Sequence, residues 1–144
     1  MSTFNTRCSS CNGVNRVPSE RISESPTCGK CKAPLLDGAP IEGTDLNFQA
    51  LLNSEQPLVV DFWATWCNPC VGFAPVFSDV AQERAGSVRF VKIDTEAQQQ
   101  LAAQYQIRSI PTVMVFKQGK RVDMINGALP KSQFDQWLNQ AITK

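Results

Sequence analysis

Six cysteines and no histidine define what chemistry this 144-residue chain can perform. All six fall into Cys-x-x-Cys pairs: Cys8 with Cys11, Cys28 with Cys31, and Cys67 with Cys70. Without histidine there is no Ser-His or Cys-His dyad and no imidazole-ligated metal, so reactivity must run on cysteine, carboxylate or lysine. The first two pairs lie sixteen residues apart, Asn12 to Thr27, the interval of a four-cysteine zinc site built from two knuckles. Four thiolates about 2.3 Å from a tetrahedral Zn²⁺ leave no open coordination position, so the spacing predicts one structural ion held by Cys8, Cys11, Cys28 and Cys31. Two disulfides or four idle thiols are the alternatives, and a cytosolic location disfavours them. The third pair stands apart, and two intervening residues let its sulfurs close a disulfide.

The elements around these cysteines are set by composition and periodicity. Residues 1–37 offer few apolar side chains beyond Phe4, Val14, Val17, Ile22, Leu35 and Leu36, so a segment this short needs the metal as its staple. Ala33 to Thr44 is rich in Pro and Gly and reads as a connection, with Ala39–Glu42 able to add an edge strand. From 38 to 144 helix and strand patterns alternate. Thr44 is expected to cap a helix carrying Leu46, Phe48, Leu51 and Leu52, and Leu58 to Trp63 reads as a buried central strand with Trp63 in the core. Val71 to Arg84 has helical spacing, with a kink expected at Pro75 and a stop at Gly86. A strand over Ser87–Ile93 completes a βαβ unit, and Thr95 with Gln98 suggests a capping box for a helix to Gln104. Thr112–Phe116 and Arg121–Ile125 flank Gln118-Gly119 as a hairpin, and a last helix starts at Pro130. The order implies an α/β fold, a mixed central sheet with helices on both faces, preceded by a small zinc ribbon.

Cys67-Asn68-Pro69-Cys70 falls where the central strand ends and the long helix begins. There the unpaired amides and the positive end of the helix dipole stabilise a thiolate, which makes Cys67 the nucleophile and Cys70, one turn in, the buried resolving thiol. Asp61 interrupts the apolar strand six residues earlier, where burial raises its pKa toward neutrality.

The surroundings reach beyond spacing. Val60 to Cys70, Phe73-Ala74-Pro75, Ile107 to Thr112, Phe116 to Gly119 and Asn126-Gly127-Ala128 together resemble the thioredoxin family over residues 40–144, and the ribbon in front is similar to that of its zinc-binding bacterial members. The resemblance implies a protein-disulfide reductase with Asp61 as acid/base for Cys70 and Lys92 beside Asp61 adjusting its titration. It also implies a cis peptide before Pro111, with Ile110 offering backbone hydrogen bonds to an extended substrate. Trp66, Asn68, Pro69, Gly127 and Ala128 would complete the docking surface. Electrons would come from a thioredoxin reductase, a flavoprotein, since the chain has no Gly-x-Gly-x-x-Gly fingerprint of its own and would bind no flavin or nucleotide. The family usually has Gly-Pro between the active cysteines where this chain has Asn68-Pro69. An Asn68 amide donating to the Cys67 sulfur would make the disulfide more oxidising and shift the activity toward isomerase or oxidant work.

The charge balance, 14 Lys+Arg against 13 Asp+Glu, gives no strong field for nucleic acid or anionic lipid. The ribbon's Arg7, Arg16, Arg21, Lys30 and Lys32 could instead make it a partner-binding module, or oxidation of its thiolates could make it a redox switch. No apolar run suits a membrane span and Met1 to Cys8 lacks a secretory leader, so the expectation is a cytoplasmic monomer acting on disulfide-containing proteins.

Overall fold

A computed structural model describes residues 2–144. Strands β1 (Thr3–Arg7) and β2 (Val14–Pro18) form an antiparallel pair, followed by a 3-10 turn over Ser19–Glu24. The remaining elements are β3 (Ile41–Glu42), α1 (Phe48–Leu52), β4 (Leu58–Trp63), α2 (Asn68–Glu83), β5 (Arg89–Asp94), α3 (Gln99–Gln104), β6 (Thr112–Lys117), β7 (Lys120–Asn126) and α4 (Lys131–Ala141). The second sheet runs β3-β5-β4-β6-β7, with β3, β5 and β4 parallel and β6 and β7 antiparallel to their neighbours.

Alternation along β4 divides the core. Leu58, Val60 and Phe62 face α1 and α3, joining Phe48, Leu51, Val91, Ile93, Leu101 and Met114. Val59 faces α2 and α4, among Phe73, Phe77, Val80, Phe90, Phe134 and Leu138. Asp61 shares the parity of Val59 and is therefore driven inside, fully buried. Both faces are covered, as the near-continuous apolar run of β4 requires.

The ribbon has a small core of Cys8, Val17, Cys28, Leu35 and Leu36, edged by Phe4, Ile22 and Ala33. It docks on the start of the large sheet. The Asn5 amide donates to the Glu55 carboxylate, Arg7 N donates to Ser54 Oγ at 3.1 Å, and Glu55 N donates to Asn5 O at 3.0 Å. Ile22 packs directly over Gly86, whose φ of +88° and lack of a Cβ both suit that close approach.

Several local expectations need correction. Thr44 does not cap α1: its Oγ1 accepts from Leu46 N, closing a tight turn, and the helix starts later with Asn47 at its N-cap. Leu46 is consequently 88% exposed rather than part of the apolar face. No Thr95/Gln98 capping box forms, because Asp94 Oδ1 takes the Glu96 and Ala97 amides while Gln98 Oε1 accepts from the distant Asp45 N. Pro130 occupies the N-cap of α4 rather than its first turn. Trp63 is half-buried, not core.

Candidate active site and metal centre

Cys67 is the N-cap of α2, in extended conformation, and its sulfur accepts from Cys70 N at 3.2 Å. Asn68 and Pro69 form the first turn, where proline's missing N–H costs no helical hydrogen bond. Cys67 and Cys70 are joined in a disulfide and both are buried, in a small apolar group with Ala64, Trp63 and Ile110. The Ile110–Pro111 peptide is cis, and the Ile110 carbonyl oxygen lies 3.8 Å from the Cys67 sulfur. Gly127 N donates to Pro111 O at 2.8 Å, which brings the 126–128 turn against the cis-proline loop. Trp66 stands out beside the disulfide, 66% exposed, with Nε1 donating to Glu96 Oε1 at 2.7 Å. Asn68, Pro69 and Ala128 are exposed as well. Contacts thus join Cys67, Cys70, Ile110, Pro111 and Gly127, with Trp66 and Ala128 their exposed neighbours along the chain.

Asp61 pairs in register with Lys92 of β5. Burial pushes the Asp61 carboxyl up to about 7, with the Lys92 charge opposing the rise. Among the described residues, neither carboxylate oxygen has a hydrogen-bond partner. Lys92 leans over the Trp63 ring, its Nζ 4.4 Å from the centroid, which is why Trp63 sits at the edge of the core. Among the described residues no hydrogen bond joins the Asn68 side chain to Cys67, so the oxidising retuning expected of Asn68 finds no support in the disulfide form.

The two knuckles repeat one geometry. Ser10 N donates to Cys8 Sγ at 3.3 Å and Lys30 N to Cys28 Sγ at 3.4 Å, while Asn12 N and Lys32 N close turns on the Cys8 and Cys28 carbonyls. The residue after each second cysteine has positive φ, Asn12 at 64° and Lys32 at 66°, which turns the chain away from the cluster. The four sulfurs lie within 4.8 Å of one another, with Cys8 to Cys31 at 3.5 Å and Cys11 to Cys28 at 3.6 Å. A tetrahedron of Zn–S bonds has sulfur–sulfur edges of about 3.8 Å, so the cage fits the ion. The Cys31 backbone, the Asn15 amide and the Lys30 N–H hold the Cys28 thiol down at about 5. The Ala33 backbone likewise lowers Cys31, but Cys8, burial and the remaining sulfurs outweigh it and leave that thiol raised to about 11. Four cysteine sulfurs and no other donor are the ligand set of a closed structural zinc site.

A family model described as Thioredoxin matches residues 39–140. The chain belongs to the thioredoxin family. A second model, the N-terminal domain of Thioredoxin 2, matches residues 7–33. Thioredoxin C-3 of Corynebacterium nephridii is 43% identical over 136 residues, covering 94% of this chain and 93% of its own length. Thioredoxin 1 of Nostoc sp. is 48% identical over 103 residues, 71% of this chain and 96% of that protein. Thioredoxin 2 of Chlorobaculum tepidum is 43% identical over 108 residues, 74% of this chain and 99% of its own. As a thioredoxin the chain is a thiol–disulfide oxidoreductase, a protein-disulfide reductase with its redox pair at the head of α2. No helix among the described residues is long and apolar enough to cross a membrane.

Two residues, Glu96 beside Trp66 and Arg89 at the start of β5, where it donates to Arg7 O, are not singled out by the sequence reading. Glu96, which anchors Trp66, lies in a turn and carries no pattern that marks it. Arg89 does carry one: it shares the inward parity of Val91 and Ile93, so a strand reading buries it.

Proposed function

We propose that Cys67 is the attacking thiol, Cys70 the resolving thiol and Asp61 the group that takes the Cys70 proton. The Cys67 thiolate attacks a protein disulfide, forming a mixed disulfide and expelling one substrate thiolate. Cys70, its proton passed to Asp61, then attacks the Cys67 sulfur, closing the intramolecular disulfide and releasing the second substrate thiolate. Two electrons have moved from the dithiol to the substrate. Lys92 sets the Asp61 titration from the neighbouring strand, and Trp66, Asn68, Pro69, Ile110, Gly127 and Ala128 receive the substrate chain around Pro111.

The observation that carries this reading is the placement of the Cys67–Cys70 disulfide at the N-terminus of α2 beside the Ile110 carbonyl. The Ile110 carbonyl, next to the attacking sulfur, offers an incoming extended peptide a hydrogen bond while the substrate's disulfide is in line. The oxidised pair is reset by a thioredoxin reductase, in a cytoplasmic setting, by a monomer. Residues 1–37 form the ribbon domain and 38–144 the redox domain, and Cys8, Cys11, Cys28 and Cys31 hold one zinc ion. When bound, the ion cross-links the two knuckles and has no open position for chemistry.

A Cys70→Ser chain mixed with a disulfide-bonded protein substrate tests the assignment. A covalent adduct at Cys67, stable to gel filtration and released by dithiol, is the expected product. An adduct at Cys8 or Cys31 instead, or none while the wild-type chain turns over, overturns it.

A further inference from the structure

The one arginine that faces fully inward among the described residues is not spent on the redox site. Arg89 opens β5, is 4% exposed, and pairs with Leu58 at the end of the sheet away from Cys67. Its Nη1 donates to Arg7 O at 2.8 Å and to Thr6 Oγ1, so it grips the peptide that leads directly into the ligand Cys8. The chain of bonds continues: Thr6 Oγ1 donates to Gln56 Oε1 at 2.8 Å, and Gln56 Nε2 donates to Gly86 O at 2.6 Å. Thr6 and Gln56 are themselves buried. Arg89 Nη2 has no partner among the described residues, and the residue lines a cavity of about 440 Å³ between ribbon and sheet that Asp37 also lines. A buried cation with one acidic neighbour is costly unless it answers a larger negative charge. Four thiolates around Zn²⁺ carry a net charge of −2, and Cys8 is one of them.

We propose that Arg89, a residue of the redox domain, is a positioning residue of the metal site: it fixes the backbone entering Cys8 and supplies the countercharge to the zinc tetrathiolate. Zinc affinity and the stability of the sheet carrying Asp61 and Lys92 are then thermodynamically linked. The inference rests on the ribbon binding zinc, which elemental analysis of the wild-type chain tests separately.

The experiment uses the full chain, stripped of metal and titrated with Zn²⁺ against a chromogenic chelator. Arg89→Met is expected to weaken zinc affinity by ten- to a hundredfold, the range for outer-shell partners of a metal site. Arg89→Lys, keeping the charge without the fork, should recover part of that loss, and Arg121→Met, at an exposed arginine of β7, should lose nothing. Zinc loading should raise the unfolding temperature of the wild-type sheet more than that of Arg89→Met. Wild-type affinity in Arg89→Met, even in a destabilised protein, overturns the proposal. Should Arg89→Met not fold, Thr6→Val decides, with a several-fold weakening supporting the inference and unchanged affinity overturning it. Zinc-free wild-type protein would instead refute the zinc reading itself.

Discussion

Cys28-Gly29-Lys30-Cys31 and Cys67-Asn68-Pro69-Cys70 have the same spacing and opposite fates. In the knuckle, Lys32 takes φ +66° and throws the chain back, so Cys31 is left exposed and faces sulfurs from another loop. In the redox pair, Val71 continues into α2, its N–H donating to the Cys67 carbonyl at 3.0 Å, and the sulfurs have only each other. The spacing brings two sulfurs together in either case. The backbone turn taken just after the second cysteine decides whether they meet an ion or form a bond.

The comparison breaks most readily at the sulfurs. Cys67→Ser should lower protein-disulfide turnover by at least about a thousandfold while leaving zinc content unchanged. Cys11→Ser should do the reverse, losing zinc in elemental analysis and keeping turnover. Loss of turnover in both would make the ribbon part of the catalytic machinery.

Asp61 yields the next largest effect. Its folded pKa of about 7 lies above the ordinary carboxyl value, so the native state holds a proton that the unfolded chain has released. Stability therefore falls as pH rises from about 4 to about 7, by an amount on the order of 4 kcal/mol. Asp61→Asn removes that loss: denaturant titrations should show it more stable than wild type by roughly this amount at pH 8 and no more stable at pH 4. An equal gain at both pH values would assign the effect to packing.

Asn68→Gly probes the dipeptide between the active sulfurs. Since no hydrogen bond runs from the Asn68 side chain to the Cys67 sulfur among the described residues, equilibration in thiol buffers should move the reduction potential by less than about 30 mV, equivalent to roughly 1.4 kcal/mol. The smallest effects sharpen the contrast after the second cysteine. Lys32→Gly should stabilise the zinc-loaded ribbon by about 1 kcal/mol, because a left-handed backbone suits glycine. Val71→Gly, in the first turn of a helix, should cost a few tenths of a kcal/mol by thermal unfolding.

The βαβ unit, the β6–β7 hairpin, the buried β4 and the head of α2 were legible because long apolar runs and a helix-start proline leave few alternatives. Thr44 and Thr95 mislead in two ways: the Thr44 hydroxyl accepts from the nearby Leu46 amide and closes a turn, whereas the Thr95 hydroxyl donates to the carbonyl of Trp63 at the end of β4. For Gln98 the partner is Asp45, 53 residues away, beyond the reach of a local pattern. Size and hydrophobicity point Trp63 toward the core, whereas the ammonium of Lys92 over its ring keeps that corner open to water. The four knuckle cysteines were legible from spacing alone, yet the docking of their ribbon through Arg89 was not, since the contact spans 82 positions.

That span sets an order of events during synthesis. The bonds that close the two knuckles lie within the stretch from Cys8 to Ala33, which leaves the ribosome before any strand of the large sheet. Gln56, Gly86 and Arg89 emerge afterwards, so the ribbon has nothing to dock on until the sheet is made beneath it. Until Ser54 and Glu55 follow, the outer edge of β1, whose Asn5 and Arg7 amides they receive, has no partner.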